Sequence, residues 1–272
     1  MKENLISVIM GAYNSDPARL RLAVESILDQ SYEYFEFIIC DDCTTSKNTI
    51  DELKAIEKLD KRIILLHNSK NEGLAHSLNN CLQIANGEFV ARMDDDDISH
   101  FNRFEKQISY LKTHPSIDFV GCGINLINNE GVWGSLFNKK MPTKEDFLFA
   151  TPFTHPTIMV RKKVYDEVNG YSVEKRTKRT EDYDLFMRMY AKGFQGDNIQ
   201  EILFDYCLDE NGYRKQKFRY RIDEVVIKHR GFKRLGLLPK GYLYLLKPLI
   251  SGILPQKVKK LIFKRRFISK RT

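Results

Sequence analysis

The chain has 272 residues, 42% of them hydrophobic and 11% aromatic. That is enough apolar material for the core of one large domain and excludes a largely disordered chain. The net charge of +8 is unevenly placed: residues 213–272 carry 19 Lys and Arg against 2 Asp and Glu, so a basic tail follows a body of net charge −9 over residues 1–212. A tail of that kind seeks a polyanionic surface, and the body need not. The longest uncharged run near the C-terminus, residues 248–256, is far short of the roughly 20 residues of a spanning helix, and the opening "MKENLISVIMGAYNSD" lacks the apolar stretch of a secretory signal.

In chain order, "LISVIM" (5–10) reads as a buried strand, and Asp16 and Pro17 as the cap and first residue of a helix carrying Leu20, Ala23, Val24, Ile27 and Leu28 inward. "FEFIICDD" (35–42) is a second strand, Ile50, Leu53, Ile56 and Leu59 mark a second helix, and "RIILLH" (62–67) is a third strand. "NEGLAHSLNNCLQIANG" (71–87) is a helix with Leu74, Leu78, Leu82 and Ala85 inward and Gly87 as its stop, followed by a fourth strand, "EFVARM" (88–93). Alternation at this spacing predicts βαβ units and a parallel, doubly wound sheet, with ligands beyond the carboxyl ends of the strands. Beyond residue 100 the spacing predicts a helix at Phe104, Ile108 and Leu111, two strands joined at "NNEG", a strand and helix over 155–171, and a helix from "EDYDL" to Gly193.

Three strand ends carry polar groups: "GAYN", "CDDCTT" and "DDDD" (94–97). On an extended segment Asp94 and Asp96 point the same way, and two hard oxygen ligands leaving a strand suit Mg²⁺ or Mn²⁺; the competing reading is a solvated acidic turn, with Asp97 as the cap of the next turn. Tyr13 offers a ring that can stack on a base, and Asp42 an acceptor for a ring N–H, or they are a surface tyrosine and a helix cap. No Gly-rich phosphate loop is present, so phosphates fall to the metal. Asp182 is either a helix cap or a base held beside a substrate. The five cysteines are odd in number and scattered; "CDDC" has the spacing of a redox or zinc pair but lacks a second pair, and unpaired thiols fit a reducing cytosol.

The motifs "SVIMGAYN", "QSYEYFEFIICDD", "NEGLAHSLN", "GEFVARMDDDDIS…RFEKQ", "HPTIMVRK" and "EDYDL", in this order from about Leu5 to about Phe204, resemble the family 2 glycosyltransferases of GT-A fold. The resemblance implies a Rossmann-like, mostly parallel α/β sheet and an inverting, metal-dependent sugar transferase with a nucleotide-sugar donor, most often a UDP-sugar. It implies a donor pocket of Ala12, Tyr13, Asn14, Asp42, Asn71, Gly73, Asp94 and Asp95. Asp94 and Asp96 form its DxD motif, Asp182 matches its general base, and His155 and Glu181 fall where donor or acceptor is touched. Residues 1–100 then form the nucleotide-binding half and 101–212 the acceptor half. Two departures stand out: Gly11 replaces a common proline, and Cys43 replaces a turn glycine, so a different turn is expected there. The QxxRW-type motif of processive synthases is absent, which implies transfer of one sugar at a time.

The tail mixes Lys and Arg with Leu, Ile, Tyr and Phe, and Pro239, Pro248 and Pro255 divide it into short helical pieces. That composition suits amphipathic helices on an anionic membrane, so a cytoplasmic enzyme on the inner face of the membrane, acting on a glycan or lipid-linked acceptor in bacterial surface-polysaccharide synthesis, is expected. A helical subdomain packed on the core and a nucleic-acid-binding tail are the alternatives, and no nucleic-acid partner is expected. Two rival functions are a non-enzymatic basic binder and a sugar nucleotidyltransferase, although the latter needs a Gly-rich N-terminal loop that "GAYNSD" lacks.

Overall fold

The computed structural model describes residues 1–208, 218–253 and 258. Strands β1 (Lys2–Ala12), β2 (Phe35–Asp41), β3 (Ile63–His67) and β4 (Gly87–Arg92) are all parallel, in the order β3-β2-β1-β4. Helices α1 (Pro17–Leu28), α2 (Lys47–Ile56) and α3 (Leu74–Ile84) make the crossovers. β1 is buried continuously from Leu5 to Met10, as a central strand covered on both faces must be. The sheet then continues without a break through β8 (Met159–Arg161), β6 (Phe119–Asn128), β9 (Gly196–Cys207) and the two-residue β5 (Ile98–Ser99), with β7 (Gly131–Leu136) hairpinned onto β6. β8, β5 and β7 run antiparallel to their neighbours, and β6 and β9 are parallel. One nine-stranded sheet therefore spans both halves expected from sequence.

Alternate side chains of each strand supply two cores. On one face Val8, Met10, Phe37 and Phe89 meet α1, α2 and α4 (Arg103–Thr113). On the other, Ile9, Ile38 and Val90 meet α3, α5 (Lys162–Val168) and α6 (Glu181–Ala191). Asp16 caps α1, accepting the Arg19 N–H at 3.0 Å, with Pro17 at the first turn.

The structure corrects the sequence reading in four places. Gly87 does not stop α3: the helix ends at Ile84, and Gly87 opens β4, where a Cβ would meet the Leu5 carbonyl oxygen at 2.6 Å and the Ser7 amide at 2.7 Å. Leu59 lies beyond α2, exposed in the turn into β3. β9 has no counterpart in the hydrophobic pattern, because its buried Asp197 and Asn198 and its register shifts against β6 interrupt the alternation. In the tail, α7 (Phe218–Arg234) and α8 (Tyr242–Ile253) are longer than proline-bounded pieces, and Pro248 lies within α8, whose packing on α7 holds it. Pro255 lies outside the described residues.

α7 docks on α6. Gly231 makes the approach possible, since a methyl group there would sit 2.1 Å from the Met187 sulfur, and Ile227, Phe232, Leu235 and Leu237 are buried around it. Arg234 pairs with Asp184 at 3.3 Å and Arg230 with Glu174 at 2.9 Å. The first part of the basic tail is thus a helix packed on the core.

Candidate functional site

The carboxyl ends of β1, β2 and β4 lie side by side, with Ala12 opposite Asp41 and Ile9 opposite Arg92. Just past these ends the chain turns, and the turns are fixed by side-chain acceptors. Asn14, at φ +50°, accepts the Thr45 and Ser46 amides on its Oδ1, both at 2.9 Å, which caps α2 from across the edge where Ser46 makes no side-chain cap bond. The Asp42 carboxylate accepts the Asn68 side-chain amide and the Glu72 and Gly73 N–H groups, all at 2.8 Å. A carboxylate has about four lone-pair positions, so one remains for a ligand. Gly73 caps α3 at φ +94°, a conformation that excludes most side chains even though the space around it is open. Asn71 is exposed beside the Asp42 carbonyl. Tyr13 is exposed at the tip of the β1 turn, and Ala12 is buried beneath it with its carbonyl accepting the Asp42 N–H. The turn expected to change at Cys43 does not: Cys43 takes φ +62° and keeps the glycine-like conformation. Cys40 and Cys43 are free thiols, Cys40 buried and Cys43 partly exposed.

The four aspartates do different work. Asp94 forms an ion pair with the buried Arg92. Asp95 accepts the Ser15 hydroxyl, and burial raises its pKa. Asp96 is the exposed member; desolvation, then the charges of Asp94 and Asp95, push its pKa up to about 6. Asp97 is buried, accepts the Cys207 N–H of β9 at 2.7 Å on Oδ1, and has no partner for Oδ2. Carboxylate oxygens of Asp94, Asp96 and Asp97 lie within 4.8 Å of one another. A cluster of hard oxygen donors, one of them buried and unpartnered, fits a divalent cation such as Mg²⁺ or Mn²⁺. Asp97, read from sequence as a turn cap, is the addition to the expected pair.

α6 brings the second carboxylate set. Its first residues, Glu181 and Asp182, follow Thr180, which makes no side-chain cap bond. Burial, reinforced by the neighbouring Glu181 charge, pushes the Asp182 pKa up to about 7. Glu181 Oε2 is buried without a partner. His155 Nε2 lies 2.8 Å from the Tyr171 hydroxyl, and burial followed by the Arg92 charge drives its pKa well below the usual value, so the ring is neutral. Arg92 connects these groups. It ends β4 on the α6 side of the sheet and pairs with Asp94, and its charge is felt at Asp182 and His155. Burial opposes its charge, but Asp94, with Tyr171 and Asp97 adding to it, more than offsets this and holds it protonated.

Arg92 was visible in sequence only as part of a strand. Arg103 and Gln107 were visible only as part of the motif "RFEKQ" and the helix predicted there. Arg103 Nη2 donates to the carbonyls of Arg92 (2.9 Å) and Pro156 (3.2 Å), and Gln107 Nε2 donates to that of Thr157 (2.7 Å). These two buried side chains of α4 fasten the end of β4 to the turn holding His155. Their spacing, four residues apart on one helix face, was the available signal.

The sequence model "Glycosyl transferase family 2" matches residues 7–169. The chain is 37% identical over 266 residues to EpsE of Bacillus subtilis (strain 168), covering 98% of this chain and 95% of EpsE. It is 29% identical over 220 residues, 80% of this chain and 83% of the relative, to the UDP-Glc:alpha-D-GlcNAc-diphosphoundecaprenol beta-1,3-glucosyltransferase WfgD of Escherichia coli. Among solved structures, S. aureus TarS 1–349 in complex with UDP-GlcNAc superposes with a TM-score of 0.66 at 19% identity, over 85% of this chain and 70% of that one, a likeness of fold. The expected α/β architecture of GT-A type is the observed one. The chain is a glycosyltransferase and belongs to glycosyl transferase family 2.

Proposed function

We propose that the chain transfers one sugar at a time, with inversion, from a UDP-sugar to a glycan or lipid-linked acceptor in the synthesis of a bacterial surface polysaccharide, at the cytoplasmic face of the membrane. The observation that carries this reading is the pairing of a three-carboxylate cluster with Asp182, poised at about 7, around the shared cation Arg92. The donor and lipid-diphosphate acceptor named for WfgD, and the UDP-GlcNAc bound by TarS, support the substrate class.

Tyr13 stacks on the base, and Asp42 uses its remaining lone pair for a ring N–H. Asn14, Asn71 and Gly73 shape the turns around the nucleotide, Ala12 floors it, and Asp94 and Asp95 border it. Asp94 and Asp96, with Asp97 adjoining, would hold a divalent cation, which would supply charge neutralisation at the departing diphosphate. Asp182 takes the proton of the acceptor hydroxyl while that oxygen bonds to the anomeric carbon, and the bond from that carbon to the diphosphate oxygen breaks on the opposite face. A carboxylate near 7 suits this step, because a substantial fraction is ionised near neutral pH and that fraction is basic enough to accept the proton. His155 and Glu181 flank the reacting sugars, and neutral His155 hydrogen-bonds without adding charge.

Asp182→Asn is expected to retain UDP binding in the presence of Mn²⁺ and to lose turnover by a factor of about 10²–10⁴, read as UDP release with an acceptor. An active variant would remove the base assignment.

A further inference from the structure

Helix α8 presents an apolar face that no other described residue covers. On α8, Leu243, Leu246 and Ile250 are 77%, 53% and 57% exposed. Their spacing of three and four residues places them on one helix face. Gly252, on the opposite face of α8, packs on α7, where a methyl would sit 3.1 Å from the Phe218 ring. Phe149, 56% exposed, packs edge-on against Tyr244 at 5.1 Å, and its carbonyl accepts the Lys247 ammonium at 2.6 Å. Exposed apolar side chains gathered like this mark an interaction site rather than ordinary surface.

The charge of these two helices selects the partner. Residues 218–253 carry 8 Lys and Arg against 2 Asp and Glu. A protein partner would need an equally concentrated acidic surface beside an apolar one, whereas an anionic bilayer offers both, headgroup phosphates above acyl chains. No described helix is long and apolar enough to cross a membrane, so this face would lie along the interface.

We propose that Leu243, Leu246 and Ile250 of α8 insert into the headgroup region of an anionic phospholipid bilayer. The inference deepens the reading of a lipid-linked acceptor and rests on it for its purpose. α8 is joined to the catalytic end by short steps. Its Tyr244 packs on Phe149, two residues from Phe147, whose ring stacks on Tyr183 at 6.0 Å and whose carbonyl accepts the Tyr183 hydroxyl, and Tyr183 adjoins Asp182. Through α7, the seat is also anchored to α6 itself. Docking on a bilayer thus fixes the base relative to the plane in which a lipid-linked acceptor lies.

The test is co-sedimentation of the full chain with vesicles of phosphatidylcholine alone or of phosphatidylcholine with phosphatidylglycerol. The wild-type protein is expected to sediment with the anionic vesicles. L243Q/L246Q/I250Q is expected to lose at least about tenfold in binding while its melting temperature and its UDP binding with Mn²⁺ stay unchanged. If the triple variant misfolds, Leu243→Gln alone, at the most exposed position, is expected to weaken vesicle binding measurably. Vesicle binding unaffected by these substitutions, or a wild-type dimer that ignores vesicles and becomes monomeric in the variant, would overturn the proposal. UDP release in solution is scored separately: its absence alongside intact vesicle binding counts against the transferase chemistry, and its presence without vesicle binding counts against the seat alone.

Discussion

At the residue scale the site shows charge placed where burial opposes it. Asp182 titrates at about 7 in the folded chain against 3.8 for a free carboxylate. Between those values the folded state binds more protons than the unfolded one, so this group makes the protein less stable as pH rises through the window. Asp182→Asn removes the ionisation. Its melting temperature is therefore expected to exceed that of the wild type by a margin that grows from about pH 4 to about pH 7 and then levels off. A constant margin across that range would show that the pKa is not raised. The activity of the wild type is expected to fall as pH drops through about 7, because the protonated base accepts nothing.

Cys43 is the second residue of interest. An L-residue in the left-handed region costs roughly 1–2 kcal/mol relative to the right-handed one, and Cys43 sits there at φ +62°. Cys43→Gly is expected to stabilise the fold by up to about 1 kcal/mol in urea denaturation, with the Asp42 hydrogen bonds intact. A destabilised variant would mean that the contact of the thiol with the Ser69 carbonyl, at 3.7 Å, outweighs the backbone relief.

At the scale of elements, the turn after β4 is where metal dependence becomes measurable. Three carboxylates within 4.8 Å repel one another, and Arg92 neutralises only one charge. Mn²⁺ is expected to raise the melting temperature of the wild type in the absence of donor, and Asp96→Asn to abolish most of that rise. Calorimetric titration of the unliganded protein checks the same point; equal Mn²⁺ affinity in both proteins would exclude Asp96 as a ligand. The α6–α7 contact is a second element-scale feature. Gly231→Val pushes a branched side chain into the buried Met187 and is expected to cost about 1–3 kcal/mol. Because α6 carries Asp182, the same variant is expected to lower turnover more than UDP binding.

At the scale of the whole molecule, one continuous sheet carries the aspartate cluster at the end of β4 and, through β8, leads to the half that supplies α6. α4 braces the junction: Arg103 and Gln107 reach across it to carbonyls of Arg92, Pro156 and Thr157. Buried, multiply bonded groups of this kind hold geometry at the cost of desolvation, so removing one partner is expensive. The basic tail is divided in its use, with α7 part of the core on α6 and α8 turning an apolar face outward.

The sequence by itself determined the parallel half of the sheet, because strands buried on both faces must be apolar throughout and amphipathic helices must repeat every three or four residues. It also determined which aspartates lie at strand ends, since Asp42 and Asp94 directly follow runs that can only be strands. It could not determine β9, where the buried Asn198 Nδ2 donates to the Pro152 and Lys139 carbonyls, more than forty residues away along the chain. Nor could it tell that Asn14 caps α2, that Asp97 joins the cluster, or that Arg92 is the charge shared by the two carboxylate sets. Each of these depends on which distant groups face a side chain once it leaves water. Hydrophobic period records how deeply a residue is buried, whereas only the tertiary structure decides against what.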